Sequence, residues 1–194
     1  VTDQPVFDQR QNFCYYLKEG QYVIGAPSNN GGCVLAWIKE TLAQDPDTFY
    51  ESLPRIIEET TIGSHGLRFF PFINGERAPY WTSDIKASYH GLTIQHTRAD
   101  MIRGAIEGML LNIGVLKEMA AITDEVTISG GVFQSKAIAQ LGVTCYLSPA
   151  NEPIFGLYDL YFGHRLAARD HLQTITPNQK TSAAYASLAE HYFD

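Results

Sequence analysis

Three glycine clusters carry residue types and spacings that could do chemistry. Val126-Thr-Ile-Ser-Gly-Gly131 is a β-branched run that ends in two glycines. With no Cβ at Gly130 and Gly131, a ligand can approach the backbone closely. Amides near a following helix start could face an anion or a nucleoside. The same residues also suit a tight strand-to-helix turn. Asn29-Asn-Gly-Gly32 carries the same physics at Gly32, or is a plain helix entry with Asn29 or Asn30 near the cap. Gly75-Glu76-Arg77-Ala78-Pro79 sets an acid beside a base, with Tyr80 and Trp81 following. That is either a charged substrate loop or a structural Glu76–Arg77 salt bridge. No cluster has the G-x-G-x-x-G or G-x-x-x-x-G-K-[ST] spacing, so Rossmann and Walker readings are unsupported.

Other chemistries find little support. His65, His90, His96, His164, His171 and His191 are dispersed, with no H-x-x-x-H or H-E-x-x-H pair, and read as solvated or hydrogen-bonded side chains. No Ser sits in G-x-S-x-G. Cys14, Cys33 and Cys145 are odd in number and lack a C-x-x-C spacing, which fits neither a disulfide framework nor a zinc site. Cys14 falls in a strand pattern and reads as buried rather than nucleophilic. A reducing, cytoplasmic setting is expected.

Composition narrows the classes further. The 194 residues are 45% apolar, 12% aromatic and 18% charged, with a formal net charge of −7. That excludes a disordered chain and argues against a general nucleic-acid binder, which is usually basic. A membrane span needs about 18 unbroken apolar residues. The most apolar stretch, Ala105 to Met119, is broken by Glu107, Asn112 and Lys117. At this length roughly 70% of the unfolded surface can be buried. The first residues show no secretory pattern and no initiator Met, so a piece of a longer protein is expected.

The elements that must position these clusters alternate. Phe13–Leu17 and Tyr22–Gly25 read as a hairpin about Lys18-Glu19-Gly20-Gln21. Val34, Leu35, Ile38, Thr41 and Leu42 have helical spacing. A second helix is expected from Asp47 to Glu59, interrupted near Pro54. Leu67–Ile73 and Gly91–Ile94 read as strands. The clearest helix runs from about Arg98 to Ala121, with Thr97 and Asp100 in a capping box. Strands at Glu125–Ile128 and Thr144–Leu147 alternate with helices at Ser135–Gln140, Phe155–Asp170 and Thr181–Tyr192. This is an α/β pattern. There is no repeat or linker, so a single domain over 1–194 is expected.

Taken in order, four motifs resemble the C-terminal, nucleotide-binding domain of the FGGY family of carbohydrate kinases. Phe72-Ile-Asn-Gly-Glu-Arg-Ala-Pro-Tyr-Trp81 is similar to the family's Gly-Glu-Arg-Ala-Pro loop. Ala87–Leu92 followed by Asp100–Glu107 resembles its second signature, Ser129-Gly-Gly131 its adenosine motif, and Glu152-Pro-Ile-Phe-Gly156 the segment before a late helix. Within the family, the runs Phe13–Leu17, Tyr22–Gly25, Asn29–Gly32 and Trp37 are similar to gluconate kinases, with xylulose kinases second.

The resemblance implies an actin-like, ribonuclease-H-like fold and ATP-dependent phosphorylation of a sugar acid with Mg²⁺. It implies that Gly32 lies near the phosphates or ribose, that Gly130 and Gly131 pack along the adenosine, and that Ser135 contacts the base. Glu76 and Arg77 match the substrate loop without an assigned role. The sugar and the catalytic Asp belong, by resemblance, to an N-terminal domain outside this chain. A homodimer is a family habit, and nucleic acid and membrane are not expected partners. Departures are Gly104 in the signature helix, Ser129 where some members have Asp or Gly, a short stretch between Gln140 and Val143, and Leu157-Tyr158 after Gly156. The short stretch and Leu157-Tyr158 motivate one alternative, a non-catalytic regulatory or assembly module of the same fold; a sugar-binding module without nucleotide is a third reading.

Overall fold

A computed structural model describes residues 1–121, three strands at 126–128, 145–147 and 173–175, and residues 179–194. The chain divides into two compact units, residues 1–123 with 187–194, and residues 124–186.

The first unit is organised by one long helix. Strands β1 (Phe13–Lys18) and β2 (Gln21–Gly25) form the expected antiparallel hairpin, with Tyr15 opposite Val23. Helix α1 (Gly32–Leu42) buries Val34, Leu35 and Ile38, the positions its apolar pattern marks. Helix α2 (Phe49–Glu59) buries Phe49, Leu53 and Ile56 and continues through Pro54, where an interruption is expected. Pro54 is at the middle of the helix, where it removes one backbone hydrogen bond while the apolar stripe on either side stays buried.

Helix α3 (Arg98–Met119) starts at the capping box that the sequence indicates. Asp100 N–H donates to Thr97 Oγ1 at 3.3 Å, and Thr97 N–H and Oγ1–H both donate to Asp100 Oδ2. Burial pushes the Asp100 carboxyl up. The hydrogen bonds from Thr97, and from His65 Nδ1 at 3.1 Å, outweigh it and leave the group below the usual carboxylate range.

Strands β3 (Arg68–Phe70) and β4 (Ser88–His90) pair antiparallel. Both differ from the sequence expectation. The Leu67–Ile73 run yields three strand residues, because Pro71 has no N–H for a ladder. The second strand lies earlier than Gly91–Ile94: the chain leaves the ladder at Gly91, whose φ is +77°. Ile94 is then fully exposed.

Ahead of β3, residues Gly63, Ser64, His65 and Gly66 all have left-handed φ, from +45° to +90°. Such a conformation costs about 1–2 kcal/mol at each non-glycine, so something must hold it. Helix α3 does. Glu107 accepts from Gly63 N–H and Ser64 Oγ, and Asp100 binds His65. Glu107 also pairs with Arg103 at 2.7 Å, with both side chains 3% exposed or less. Arg103 Nη1 donates to the carbonyls of Ile57 and Thr60, which ties the end of α2 to α3. These charges of the signature helix are a clamp within the fold.

The expected cost of Gly104 has a counterpart in packing. A Cβ at Gly104 would sit 3.3 Å from the Leu67 carbonyl oxygen, and one at Gly108 would sit 2.0 Å from that of Phe69. The two glycines, one helical turn apart, let β3 lie directly on α3. Tyr192 locks the contact, accepting from Phe69 N–H at 2.9 Å and donating to the Gly104 carbonyl at 3.3 Å.

In the second unit, β5 (Val126–Ile128) runs parallel to β6 (Cys145–Leu147), which runs antiparallel to β7 (Gln173–Ile175). β5 and β6 fall where the sequence places strands, and β7 is an addition to them. Helix α4 (Gln179–Ala189) matches the start of the expected Thr181–Tyr192 helix, and turns follow it. The helices expected at Ser135–Gln140 and Phe155–Asp170 lie outside the described residues. No helix among the described residues is long and apolar enough to cross a membrane.

Gly108→Ala is expected to destabilise the fold by about 2 kcal/mol, because overpacking against Phe69 outweighs the roughly 1 kcal/mol of helix propensity gained. Gly114→Ala, in the same helix with open space at its Cβ, should instead stabilise by about 0.5–1 kcal/mol. Urea denaturation of the two variants checks the opposite signs.

Candidate functional site

The charged loop and the Asn29–Gly32 segment converge. Gly75 has φ +64°, and its position allows no side chain, since a Cβ would lie 2.8 Å from Ser83 Cα and from the Thr82 carbonyl oxygen. The turn closes by mutual backbone hydrogen bonds between Glu76 and Thr82, both 2.9 Å. Extended backbone alternates its side chains, and neighbours take opposite fates here. Glu76 points inward at 1% exposure, and Arg77 is exposed.

The Glu76 carboxylate is saturated. Oε1 accepts from the backbone N–H of Asn29 at 2.9 Å and of Arg77 at 2.8 Å. Oε2 accepts from Ser28 Oγ at 2.7 Å, Asn112 Nδ2 at 2.9 Å and Asn30 Nδ2 at 3.1 Å. All five partners donate, and none is a cation. The Glu76–Arg77 salt bridge, one of the two readings of this pair, is not formed. The Arg77 guanidinium instead donates to the Ser28 carbonyl at 3.2 Å, on the same turn that leads into α1. Tyr80 follows in the loop, its hydroxyl raised above the usual phenol range by burial and by the Glu76 charge.

Asn30 is fully buried and serves the loop rather than the helix. Its Nδ2 donates to the Gly75 carbonyl at 2.6 Å, and its Oδ1 accepts from Asn74 N–H at 3.3 Å. Asn30 lies beside the N-cap of α1, as expected; the cap itself is Gly31, and no side chain caps the helix. Both asparagines are spent on the 74–76 segment, since Asn29 Nδ2 donates to the Asn74 carbonyl. Gly32 and Cys33 open α1 and are exposed. Amides of a first helical turn have no intrahelical acceptor.

The structure thus ties Glu76 and Arg77 to the 28–30 turn that leads to Gly32. Gly130, Gly131 and Ser135 lie outside the described residues. Sequence reasoning missed Asn112 and Ser28 as partners. The signal for Asn112 was present: it interrupts an apolar stretch in register with Ala105, Met109 and Leu116, the buried face of α3. An open cleft of about 440 Å³ lies elsewhere, among Thr48, Phe49, Ser52, Ile56, Arg98 and Ile102, and none of the sequence-selected residues lines it. Among the described residues no group of three or more His, Cys, Asp or Glu side chains could hold a metal ion.

Residues 3–143 match the FGGY family of carbohydrate kinases, C-terminal domain. The chain belongs to that family. This FGGY domain is 41% identical over 125 residues to a gluconokinase of Bacillus licheniformis, across 58% of this chain and 24% of the relative. Its structure is similar to a ligand-bound xylulose kinase of Lactobacillus acidophilus, with TM-score 0.81 and 27% identity over 98% of this chain and 43% of that one. It is also similar to a gluconate kinase of the same organism, with TM-score 0.79 and 26% identity over 98% of this chain and 45% of that one. The fold is the α/β, actin-like ATPase fold of these sugar kinases. The chain spans 24% of the curated gluconokinase it matches and less than half of each solved kinase.

Replacing Asn112 separates charge from packing. Asn112→Ala removes one donor from a buried carboxylate and is expected to destabilise by about 1–3 kcal/mol. Asn112→Asp sets a second carboxyl against the first. Like-charge repulsion raises the folded-state pKa of such a pair, so stability is retained at low pH and lost as pH rises through that value. The gap between the two variants should be wider at pH 8 than at pH 5, read from denaturant midpoints.

Proposed function

We propose that this chain is the nucleotide-binding part of a sugar kinase that transfers the γ-phosphoryl group of ATP to a hydroxyl of gluconate. The observation that carries the reading is the turn at residues 28–32, clamped by Glu76 and opening α1 with exposed Gly32 and Cys33. Phosphoryl transfer needs in-line positioning and charge neutralisation more than covalent help. A helix N-terminus offers oriented amides and a partial positive charge to an anion. At Gly32 the missing Cβ would let phosphate oxygens come close. The exposed Arg77 guanidinium, resting on the same turn, would add a full positive charge. Gly130 and Gly131 would pack along the adenosine and Ser135 would meet the base.

Mg²⁺ would arrive on the nucleotide's phosphates. The catalytic base and most sugar contacts belong to the rest of the protein. A cytoplasmic setting and homodimer assembly complete the proposal. Gluconate is preferred on the 41% identity to a gluconokinase. Xylulose is the second reading, favoured by the likeness to the ligand-bound xylulose kinase.

The test begins with intact-mass analysis, followed by a coupled ADP-release assay of the intact protein with ATP, Mg²⁺ and gluconate, xylulose or glycerol. Turnover highest with gluconate is expected. Turnover highest with xylulose would move the reading to the second sugar. Residues 1–194 alone should show no turnover and only weak stabilisation by ATP, which scales as RT ln(1 + [L]/Kd). Turnover by that segment alone, or a thermal shift with gluconate and none with ATP, would sink the proposal.

A further inference from the structure

Glu76 has no free oxygen lone pair aimed at solvent, yet it reaches three consecutive residues of the turn before α1. Two donors come from the Ser28 and Asn30 side chains and one from the Asn29 backbone N–H. Ser28 Oγ in turn accepts from Asn30 N–H at 2.9 Å, so the turn is closed on itself around the carboxylate. On the far side, Asn112 Nδ2 anchors the same oxygen to α3. Because α3 carries much of the buried core of the first unit, Glu76 links that helix to the exposed start of α1.

From this we infer that Glu76 is a positioning residue: it holds the 28–32 turn so that the Gly32 and Cys33 amides are presented in fixed orientation to an anionic ligand. The ligand it serves, a nucleotide's phosphates, rests on the function proposed above, while the positioning role rests on the hydrogen bonds alone. Glu76 does not touch the ligand. Arg77, its exposed neighbour, is the residue of the loop that can. The geometry of a carboxylate is needed because all five partners donate. An amide at the same place turns one acceptor into a donor facing donors, which costs those hydrogen bonds without changing side-chain size.

The test uses the intact protein with Glu76→Gln, and Ser28→Ala as a milder second variant that removes one donor and leaves the carboxylate. Two readouts separate positioning from mere stability. Hydrogen exchange without ligand, under conditions where circular dichroism shows the variants folded, should quicken at the amides of 29–34 by at least tenfold in Glu76→Gln, and less in Ser28→Ala. Exchange within Ile102–Met109 of α3 should be unchanged. Calorimetry with MgATP should show Kd weakened at least tenfold by Glu76→Gln, while KM for the sugar stays within twofold. Unchanged exchange at 29–34 would overturn the inference, as would uniform acceleration that includes α3. Faster exchange with unaltered ATP affinity would overturn its link to the ligand. If the unsubstituted protein binds no ATP, the nucleotide reading fails, and the exchange comparison alone decides the positioning role. If Glu76→Gln does not fold, Ser28→Ala decides both readouts.

Discussion

A carboxylate buried without a cation is the constraint on which the first unit turns. Moving an ionised carboxyl out of water costs many kcal/mol unless hydrogen bonds replace its hydration. At Glu76 five neutral donors do so. The donors come from the 28–30 turn, from Arg77 beside the carboxylate and from Asn112 of α3, so the group fixes where those parts can be. Ser28, Asn29 and Asn30 must fold back over the 74–76 turn, Gly75 must adopt a left-handed φ, and α3 must pass close enough for Asn112 to reach. Charge-assisted hydrogen bonds are shorter and roughly twice as strong as neutral ones, so the assembly resists small displacements. The exposed entrance of α1 thereby inherits its geometry from the interior.

Helix α3 supplies the other half of that geometry. A 22-residue helix with buried charge at Arg103 and Glu107, buried amide at Asn112 and two packing glycines is not a simple amphipathic rod. Its polar residues each answer a specific neighbour. Arg103 and Glu107 satisfy the end of α2 and the left-handed 63–66 turn, while Gly104 and Gly108 admit the carbonyls of Leu67 and Phe69. Breaking a buried pair such as Arg103–Glu107 leaves an uncompensated charge, typically at a cost of about 3–5 kcal/mol. That cost says less about net stability than about uniqueness: few other packings satisfy all of these groups together.

Local signals in the sequence located most of the first unit. The hairpin about Gly20, the helix after Gly31-Gly32 and the Thr97–Asp100 capping box depend on neighbours a few residues apart, and all three form. What was hidden depends on distant partners. Glu76 and Arg77 look equivalent in sequence, and only the pleat of the 74–82 turn sends one inward and the other out. Asn112 looks like an interruption until a carboxylate from 36 residues away is placed against it. β4 is displaced because Gly91 ends the ladder against Gly66, and β7 has too short an apolar pattern, Gln173-Thr-Ile175, to stand out. Of the candidate site, the residue types were legible and the division of roles among them was not.

That division has a physical logic suited to phosphoryl transfer. A group that touches a polyphosphate must be accessible and positively charged or an N–H donor, and Arg77 and the start of α1 are both. A buried acid near the same place would repel phosphate if its charge were exposed. Enclosed by five donors, Glu76 would order the amides of the proposed site without presenting itself to an anion there. An asparagine or a second cation could not do both. The first lacks acceptors for five donors, and the second has none. The Glu-Arg dipeptide thus combines an internal acceptor and an external donor in adjacent residues, and an extended backbone with its two-residue alternation is the simplest way to send them to opposite sides.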